Sequence, residues 1–283
     1  MPHLTEVTPP AAREAAKPGS RLVSLRWKLQ VAFLLLLNPF GLYQFRGLCL
    51  PVLNCHGCPI AANGCPVGAF GNVLDLGVFP WLVVGSWGLV GALVGRLPCA
   101  WACPFGLLQD LLAKIPVPRW HPPRGMNASK YLVLVIMLPV AALVAGSGAR
   151  WFFCGVCPAG TATAGLPAWI SSGVAVPTIR LAFLAGFLAL MLFVTRGFCR
   201  LVCPIGAGLA VCNRFSLFRL KLDRSACNRC GTCRQACPIG EDPVAALNGE
   251  DCLRCLSCEK CPQGLISLGV GESPAPPPEG AGA

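Results

Sequence analysis

The chain has 283 residues, of which 54% are hydrophobic and 12% charged, about half the charge of a typical soluble domain; this excludes a disordered chain and disfavours a soluble globule. Its 23 Lys and Arg outnumber 12 Asp and Glu, giving a net charge of +11, and too few acidic residues lie between Asp75 and Asp223 for a carboxylate-rich metal site or a glycosidase pair. The three histidines lie outside the apolar segments, which excludes a bis-histidine haem there, whereas 19 cysteines supply the thiolate that iron–sulfur clusters and zinc use.

Four long apolar segments predict four transmembrane helices. They lie at about residues 29–45, 76–95, 131–149 and 181–195, each near the roughly 20 residues that a helix needs to cross about 30 Å of hydrocarbon. A buried helix of a soluble protein is the alternative for any single segment, but four of them favour a membrane bundle. We expect the first to be an uncleaved helix, because the polar, proline-containing residues before it do not form a signal peptide.

The distribution of Lys and Arg predicts that both termini are cytoplasmic. Basic residues are concentrated before the first apolar segment, between the second and third, and after the fourth. Loops 46–75 and 150–180 hold few, so the positive-inside rule places them outside. Arg residues beside a membrane span are explained by topology and anionic lipid, so we expect no nucleic-acid partner.

An internal repeat of about 100 residues relates two halves of the membrane segment. Cys99-x3-Cys103-Pro recurs 100 positions later as Cys199-x3-Cys203-Pro, and Cys55-x2-Cys58-Pro recurs 99 positions later as Cys154-x2-Cys157-Pro. We interpret this as a duplicated two-helix unit, with repeats at about 27–120 and 127–220. Parallel repeats are related by an axis along the membrane normal, which brings equivalent segments together on the same face.

This axis predicts two groups of four cysteines, the number of thiolates that a [4Fe–4S] cluster needs. Cys65 could replace one member of the group that is expected at the outer face. Reversible dithiols, buried thiols and, outside the cytoplasm, disulfides are the alternatives. The expected groups are Cys99, Cys103, Cys199 and Cys203 at the cytoplasmic face, and Cys55, Cys58, Cys154 and Cys157 at the outer face.

The C-terminal segment carries two ferredoxin-type cysteine runs. The first has the bacterial spacing C-x2-C-x2-C-x3-C-P, and the last gap of the second is one residue shorter. In two-cluster modules the fourth cysteine of each run binds the other cluster. Four-cysteine zinc sites are the alternative, but eight cysteines in two such runs favour clusters. The expected ligand sets are Cys227, Cys230, Cys233 and Cys261 for cluster 1, and Cys237, Cys252, Cys255 and Cys258 for cluster 2.

Together these features resemble the membrane polyferredoxins of the NapH type, the C-terminal membrane parts of NosR-type proteins and CcoG-like proteins. The four spans, the paired C-x3-C-P segments and the trailing ferredoxin runs carry the resemblance over about residues 27–265, most closely in CPFGLLQDLLAKIP (Cys103–Pro116). The resemblance implies electron transfer between a membrane quinol pool and a redox partner. The cysteines of loops 46–75 and 150–180 exceed those expected of the nitrate-linked members.

We therefore predict an all-α integral membrane bundle of four transmembrane helices, residues 27–220, and a small α+β ferredoxin-like domain, residues 221–268. Residues 1–26 and 269–283 are expected to be disordered tails. The chain would lie in a bacterial or archaeal cytoplasmic (inner) membrane, with two [4Fe–4S] clusters in the C-terminal domain and one or two more in the bundle.

The predicted function is electron transfer between the quinone pool or a cytoplasmic donor and a partner, such as another redox subunit or a periplasmic reductase. The alternatives are iron–sulfur assembly or redox sensing for a respiratory metalloenzyme, and a structural adaptor. The sequence has no Rossmann glycine fingerprint, no P-loop and no catalytic histidine, so we expect neither NAD nor a catalytic residue. A subunit of an oxidoreductase complex is favoured over a complete enzyme.

Overall fold

Each half of the bundle ends with a long apolar helix followed by two short helices. The computed structural model describes residues 21–39, 49–55, 57–58, 60–62, 64–146, 148, 152–224 and 226–271. The first half contains α1 Arg21–Leu37, α2 Pro66–Asp75, α3 Trp81–Val94, α4 Leu97–Trp101 and α5 Pro104–Leu112. The second contains α6 Ser129–Val135, α7 Ala141–Ala145, α8 Phe153–Val156, α9 Pro158–Gly160, α10 Leu166–Ser172, α11 Thr178–Phe193, α12 Gly197–Leu201 and α13 Pro204–Cys212.

The apolar helices are shorter than the predicted transmembrane segments. α3 begins at Trp81 instead of near residue 76, because Pro80 and Gly77, whose φ is +71°, separate it from α2. α6 and α7 are joined by a π-helical turn that accommodates Pro139. In the part of the chain that the structure describes, Gly125–Val144 is the one helical segment both long and apolar enough to cross a membrane. The expected end of the first span and most of both expected tails lie outside the described residues.

Two helical hairpins, α4–α5 and α12–α13, face each other as equivalent parts of the repeat. Arg96 Nη2 donates to the Cys199 carbonyl at 2.9 Å, and Arg196 Nη1 donates to the Cys99 carbonyl at 2.8 Å. The Phe198 ring packs between the two halves, with its centroid 4.9 Å from that of Phe105. This exchange of hydrogen bonds is the arrangement expected of parallel repeats around an axis.

α3 and α13 run in the same direction, which fixes the depth of the hairpins. Gly208 lies against Trp87 and Cys212 lies against Gly91; at both glycines an added Cβ would come within 3.0 Å of the neighbouring side chain. Because Cys203 caps the N-terminus of α13, it lies toward the start of α3. The four cysteines of the hairpins are buried.

Parts of loops 49–65 and 152–157 lie beside the hairpins. The Leu53 backbone amide donates to the Cys103 sulfur, and the Phe153 ring centroid lies 6.4 Å from that of Phe198. The segments around Leu53 and Phe153 thus lie beside the cysteines of the hairpins.

The C-terminal domain packs on the end of α3 through buried polar contacts. It contains β1 Phe218–Leu222, α14 Thr232–Ala236, α15 Pro243–Ala246 and β2 Ile266–Val270, and the two strands pair antiparallel from Phe218 opposite Val270 to Leu222 opposite Ile266. The buried Arg254 side chain donates to the carbonyls of Val94, Phe218 and Asn213. Asn213 in turn donates to the carbonyls of Gly249, 2.7 Å, and Cys252, 3.1 Å.

Candidate iron–sulfur centres

The two facing hairpins bring four cysteines together in the core, here called the first cysteine group: Cys99, Cys103, Cys199 and Cys203. All four are buried. Cys103 and Cys203 cap α5 and α13 in an extended conformation, with Pro in the next position. Burial raises the pKa of the Cys203 thiol well above its usual value, and its neighbours Cys199, Cys99 and Cys103 raise it further. The structure therefore joins the four cysteines that the repeat predicted to meet.

Hydrogen-bond donors surround the sulfurs of the first cysteine group. Gln109 Nε2 lies 2.9 Å from Cys199 Sγ, and the Gly206 amide lies 3.4 Å from Cys203 Sγ. The Leu53 amide donates to Cys103. Donors of this kind stabilise thiolate and cluster sulfur, and they tune the potential of an iron–sulfur cluster.

Two fully buried arginines flank the first cysteine group. Arg196 forms two hydrogen bonds to the Asp110 carboxylate, which Arg26 also approaches at 3.4 Å. Burial alone would raise the pKa of Asp110, but the Arg196 and Arg26 guanidinium groups lower it below its usual value. Asp110 therefore remains ionised and compensates the charge of Arg196.

Arg96 has a different partner because the residue equivalent to Asp110 in the second repeat is Ala210. Its guanidinium donates to the Glu250 carbonyl at 2.8 Å and lies 3.9 Å from the Asp251 carboxylate. The C-terminal domain thus supplies the acceptors that the second repeat lacks.

The structure brings together the four cysteines of predicted cluster 2 and two of the four of predicted cluster 1. Burial, together with the nearby Cys255 and Cys252, raises the pKa of Cys237 to about 11. Cys258 is close to the same three cysteines. From the other predicted set, Cys233 lies near Cys261, while Cys230 is exposed on its loop and 3.4 Å from the Thr232 hydroxyl. Cys227 lies at the start of the same loop.

The two runs have matching backbone conformations despite their different last gaps. Arg229 and Arg254, each just before the second cysteine of its run, have φ values of +54° and +51°. Gly240 and Gly264 follow the fourth cysteines and have φ values of +72° and +65°. A positive φ is costly for arginine, so its recurrence indicates a loop shaped for a specific purpose.

A buried contact joins the C-terminal domain to the first cysteine group. Trp101 Nε1 in α4 donates to the Arg254 carbonyl at 3.1 Å, directly beside Cys255. The pKa of Arg196 is raised above its usual value by Asp110 and, to a smaller extent, by Cys199 and Cys255, although burial opposes the rise. Arg196 therefore interacts electrostatically with a cysteine of the bundle and with a cysteine of the C-terminal domain.

These donor sets fit iron–sulfur clusters. In the described part of the chain, no three His, Cys, Asp or Glu side chains are arranged to hold a metal ion. A [4Fe–4S] cluster instead takes one thiolate at each of four iron atoms, and it carries negative charge that buried arginines offset. Four buried thiols with amide donors and two arginines meet that requirement.

Sequence reasoning missed Arg96, Arg196, Asp110 and Gln109 as parts of the site. The available signal was an Arg three positions before the first cysteine of each C-x3-C-P segment. In the sequence analysis these arginines are instead explained by membrane topology. No sequence pattern pointed to Asp251 as the partner of Arg96, because that contact depends on docking of the C-terminal domain.

Comparison with known proteins gives matches over the same residues. A family described as 4Fe-4S binding domain matches residues 76–123, 130–177 and 176–224, and a second family of that description matches residues 220–240. These ranges contain both hairpins of the bundle and the first ferredoxin-type run. No solved structure matches the chain significantly.

Three relatives illustrate the similarity. An uncharacterised protein of Methanocaldococcus jannaschii is 30% identical over 62% of this chain and 65% of its own length. The regulatory protein NosR of Stutzerimonas stutzeri is 30% identical over 58% of the chain and 24% of its own length. The ferredoxin-type protein NapH of Escherichia coli is 28% identical over 62% and 63%. The chain covers less than two thirds of each, and the predicted resemblance to NapH- and NosR-type proteins is confirmed.

Proposed function

Because the chain belongs to the 4Fe-4S binding domain family, whose signature recurs across residues 76–224, we propose that it is a membrane-bound iron–sulfur electron-transfer protein. It passes electrons between the quinone pool or a cytoplasmic donor and a partner redox enzyme. Three clusters are part of this proposal. Their ligands are Cys227, Cys230, Cys233 and Cys261; Cys237, Cys252, Cys255 and Cys258; and the first cysteine group.

The observation that carries the proposal is the buried junction between the C-terminal domain and α4. The Trp101–Arg254 hydrogen bond links the first cysteine group to the loop that carries Cys255. Arg200 makes a second link, because its guanidinium donates to the Ile239 carbonyl, two residues after Cys237, at 3.2 Å. Electron tunnelling decays steeply with distance. Hydrogen bonds between residues that flank the two cysteine sets therefore favour electron transfer between these sets.

Each residue around the first cysteine group has a physical task in this function. Bound clusters supply one-electron carriers. Arg96 and Arg196 offset negative charge that would otherwise be costly in the core. The amides of Leu53 and Gly206 and the side chain of Gln109 donate to sulfur. Phe105, Phe153 and Phe198 exclude water, which keeps the reorganisation energy of a charge change small.

Exposed apolar side chains support a membrane location. Leu82, Leu143, Val144 and Ile170 are each more than 70% exposed on helices of the bundle. An exposed apolar surface of this size is unusual in a soluble protein and is typical of contact with lipid or a partner. We propose a multi-pass protein of a bacterial or archaeal cytoplasmic membrane, with four spans and both termini cytoplasmic.

Rapid reduction by a quinol is the direct test of this function. The chain is purified in detergent without oxygen, and loss of the iron–sulfur absorption is followed after mixing with a quinol. A carrier should be reduced at more than about 1 s⁻¹, the lower end of ordinary enzyme turnover. Full reduction by dithionite but not by quinol or a low-potential ferredoxin would favour the assembly or sensing role.

A further inference from the structure

We propose that Cys55, Cys65, Cys154 and Cys157, the second cysteine group, bind an additional [4Fe–4S] cluster next to the first cysteine group. The inference rests on the proposed electron-transfer function and extends it by one relay position. It differs from the sequence prediction in one ligand, Cys65 in place of Cys58.

The four thiols of the second cysteine group lie near one another. Cys55 Sγ lies within 3.5 Å of the position that a Cβ on Gly160 would occupy, and the Cys157 Cβ is 3.8 Å from the same position. Gly160 therefore provides the space in which Cys55 approaches Cys157. Cys154 interacts with Cys55, and Cys65 interacts with both Cys157 and Cys154.

A shared motif identifies Cys65 as the ligand. Cys65-Pro-Val-Gly and Cys157-Pro-Ala-Gly have the same Cys-Pro-x-Gly pattern as the segments that begin at Cys103 and Cys203. All four cysteines cap a helical segment with an extended backbone and Pro in the next position. Cys58 is followed by Pro-Ile-Ala and lacks the glycine.

The helix starts supply donors to the sulfurs of the second cysteine group. The amides of Val67 and Gly68 donate to Cys65, and those of Ala159 and Gly160 donate to Cys157. Cys65 and Cys157 are both buried. Buried thiols do not ionise readily, and iron provides the positive charge that makes four thiolates stable there.

The two cysteine groups are close enough for transfer without an intermediate carrier. Leu53 donates to Cys103 and is two residues from Cys55. The Cα atoms of Leu53 and Cys55 are therefore at most about 7 Å apart. On the opposite side, Phe153 precedes Cys154 and its ring lies 6.4 Å from that of Phe198, which precedes Cys199. The chemistry is a one-electron exchange in which one group is oxidised and the other reduced, with no change in bonds or protons.

The test compares Cys65→Ala with the matched control Cys58→Ala in full-length chain purified without oxygen. Iron, zinc and acid-labile sulfide are measured per chain, and reduced clusters are counted by electron paramagnetic resonance. With four clusters, we expect about 16 irons in the unmodified chain and in Cys58→Ala, and about 12 in Cys65→Ala. Cys157→Ala should also contain about 12, and unchanged ferredoxin-type signals in each variant show that the chain remains folded.

Several results would overturn the inference. They are about 12 irons in both the unmodified chain and Cys65→Ala, stoichiometric zinc that Cys65→Ala removes, or a disulfide among the four cysteines that alkylation and mass spectrometry detect in the anaerobic protein. Each of these leaves the proposed function intact if quinol still reduces the remaining clusters rapidly. Failure of that reduction with about 16 irons present would instead contradict the proposed function and leave the second site standing.

Discussion

Arg96 and Arg196 occupy equivalent positions in the two repeats but have different partners. Arg196 is paired with Asp110 inside the bundle, and Arg96 reaches Glu250 and Asp251 of the C-terminal domain. A buried arginine without a carboxylate is strongly unfavourable. Because Ala210 stands at the position equivalent to Asp110, Arg96 depends on the docked C-terminal domain for its carboxylate partner.

Removal of the Asp110 carboxylate should destabilise the bundle. Asp110→Asn leaves Arg196 charged and buried, so we expect a loss of about 3–5 kcal/mol in stability, seen as a lower temperature of thermal unfolding in detergent. The double variant Asp110→Asn/Arg196→Gln should lose clearly less than the sum of the two single variants, because it removes the buried charge of Arg196 together with its main partner. Additive losses would show that the pair is not coupled.

Glycine in the Cys-Pro-x-Gly motif should be necessary for the first cysteine group. An added Cβ at Gly106 would lie 2.5 Å from the Cys99 carbonyl, whereas at Gly186 it would meet nothing within 4 Å. We expect Gly106→Ala to lose about four irons per chain, and Gly186→Ala, in α11, to keep them. Equal iron content in the two variants would show that the close approach of Gly106 to the Cys99 carbonyl is not needed for cluster binding.

At the scale of elements, the hairpins α4–α5 and α12–α13 could be predicted and the second cysteine group could be predicted only in part. The hairpins repeat at a constant offset of 100 residues, so Cys99 and Cys199 were placed together correctly. In the loops the offset of 99 aligned Cys58 with Cys157, although the helix-start motif aligns Cys65 with it. Hydropathy also gave one span for residues 76–95, because it does not detect the break between α2 and α3.

The contact between α6 and the C-terminal domain is the element-scale feature that sequence patterns could not reveal. Lys130 Nζ lies 2.6 Å from Asp251 Oδ1, and Asn127 Nδ2 lies 2.7 Å from Asp251 Oδ2. These residues are more than 120 positions apart in the chain. Only the assembled structure brings them together to hold the domain over Arg96.

Loss of this buried ion pair should loosen the domain. Lys130→Met leaves Asp251 without its closest cation, and we expect a loss of about 3 kcal/mol with faster amide hydrogen exchange in β1 and β2. Tyr131→Phe is the matched control, because it removes only the exposed hydrogen bond from Tyr131 to Glu250, worth about 0.5–1.5 kcal/mol. Identical exchange in the two variants would contradict the docking role of Lys130.

For the whole molecule, the apolar helices and the docked C-terminal domain define two ends with different surroundings. The C-terminal domain contacts the end of α3 at Val94, and the exposed side chains Leu76, Trp81 and Leu82 lie at the other end of that helix. The cysteine sets follow the same direction, from the ferredoxin-type runs through the first cysteine group. This order suits the transfer of electrons between an aqueous side and the membrane interior.

A charge at the middle of the long apolar helical segment should reduce membrane insertion. Ile136, at the middle of Gly125–Val144, is 47% exposed, and Leu217, between α13 and β1, is 46% exposed. If the bundle lies in a membrane, Ile136→Arg costs about 2.5–3.5 kcal/mol on insertion, so less protein should be recovered in the membrane fraction. Leu217→Arg should be tolerated. Equal membrane recovery of the two variants would contradict the proposed location of this helix.

The central claim is that cysteines of the bundle hold iron beyond the two ferredoxin-type clusters. Its most direct measurement is iron and acid-labile sulfide per chain in the double variant Cys99→Ala/Cys199→Ala, compared with the unmodified chain under anaerobic conditions. We expect a loss of about four irons and four sulfides, with the spectra of the ferredoxin-type clusters retained. About eight irons in both proteins would contradict it, since the first cysteine group would then hold no cluster.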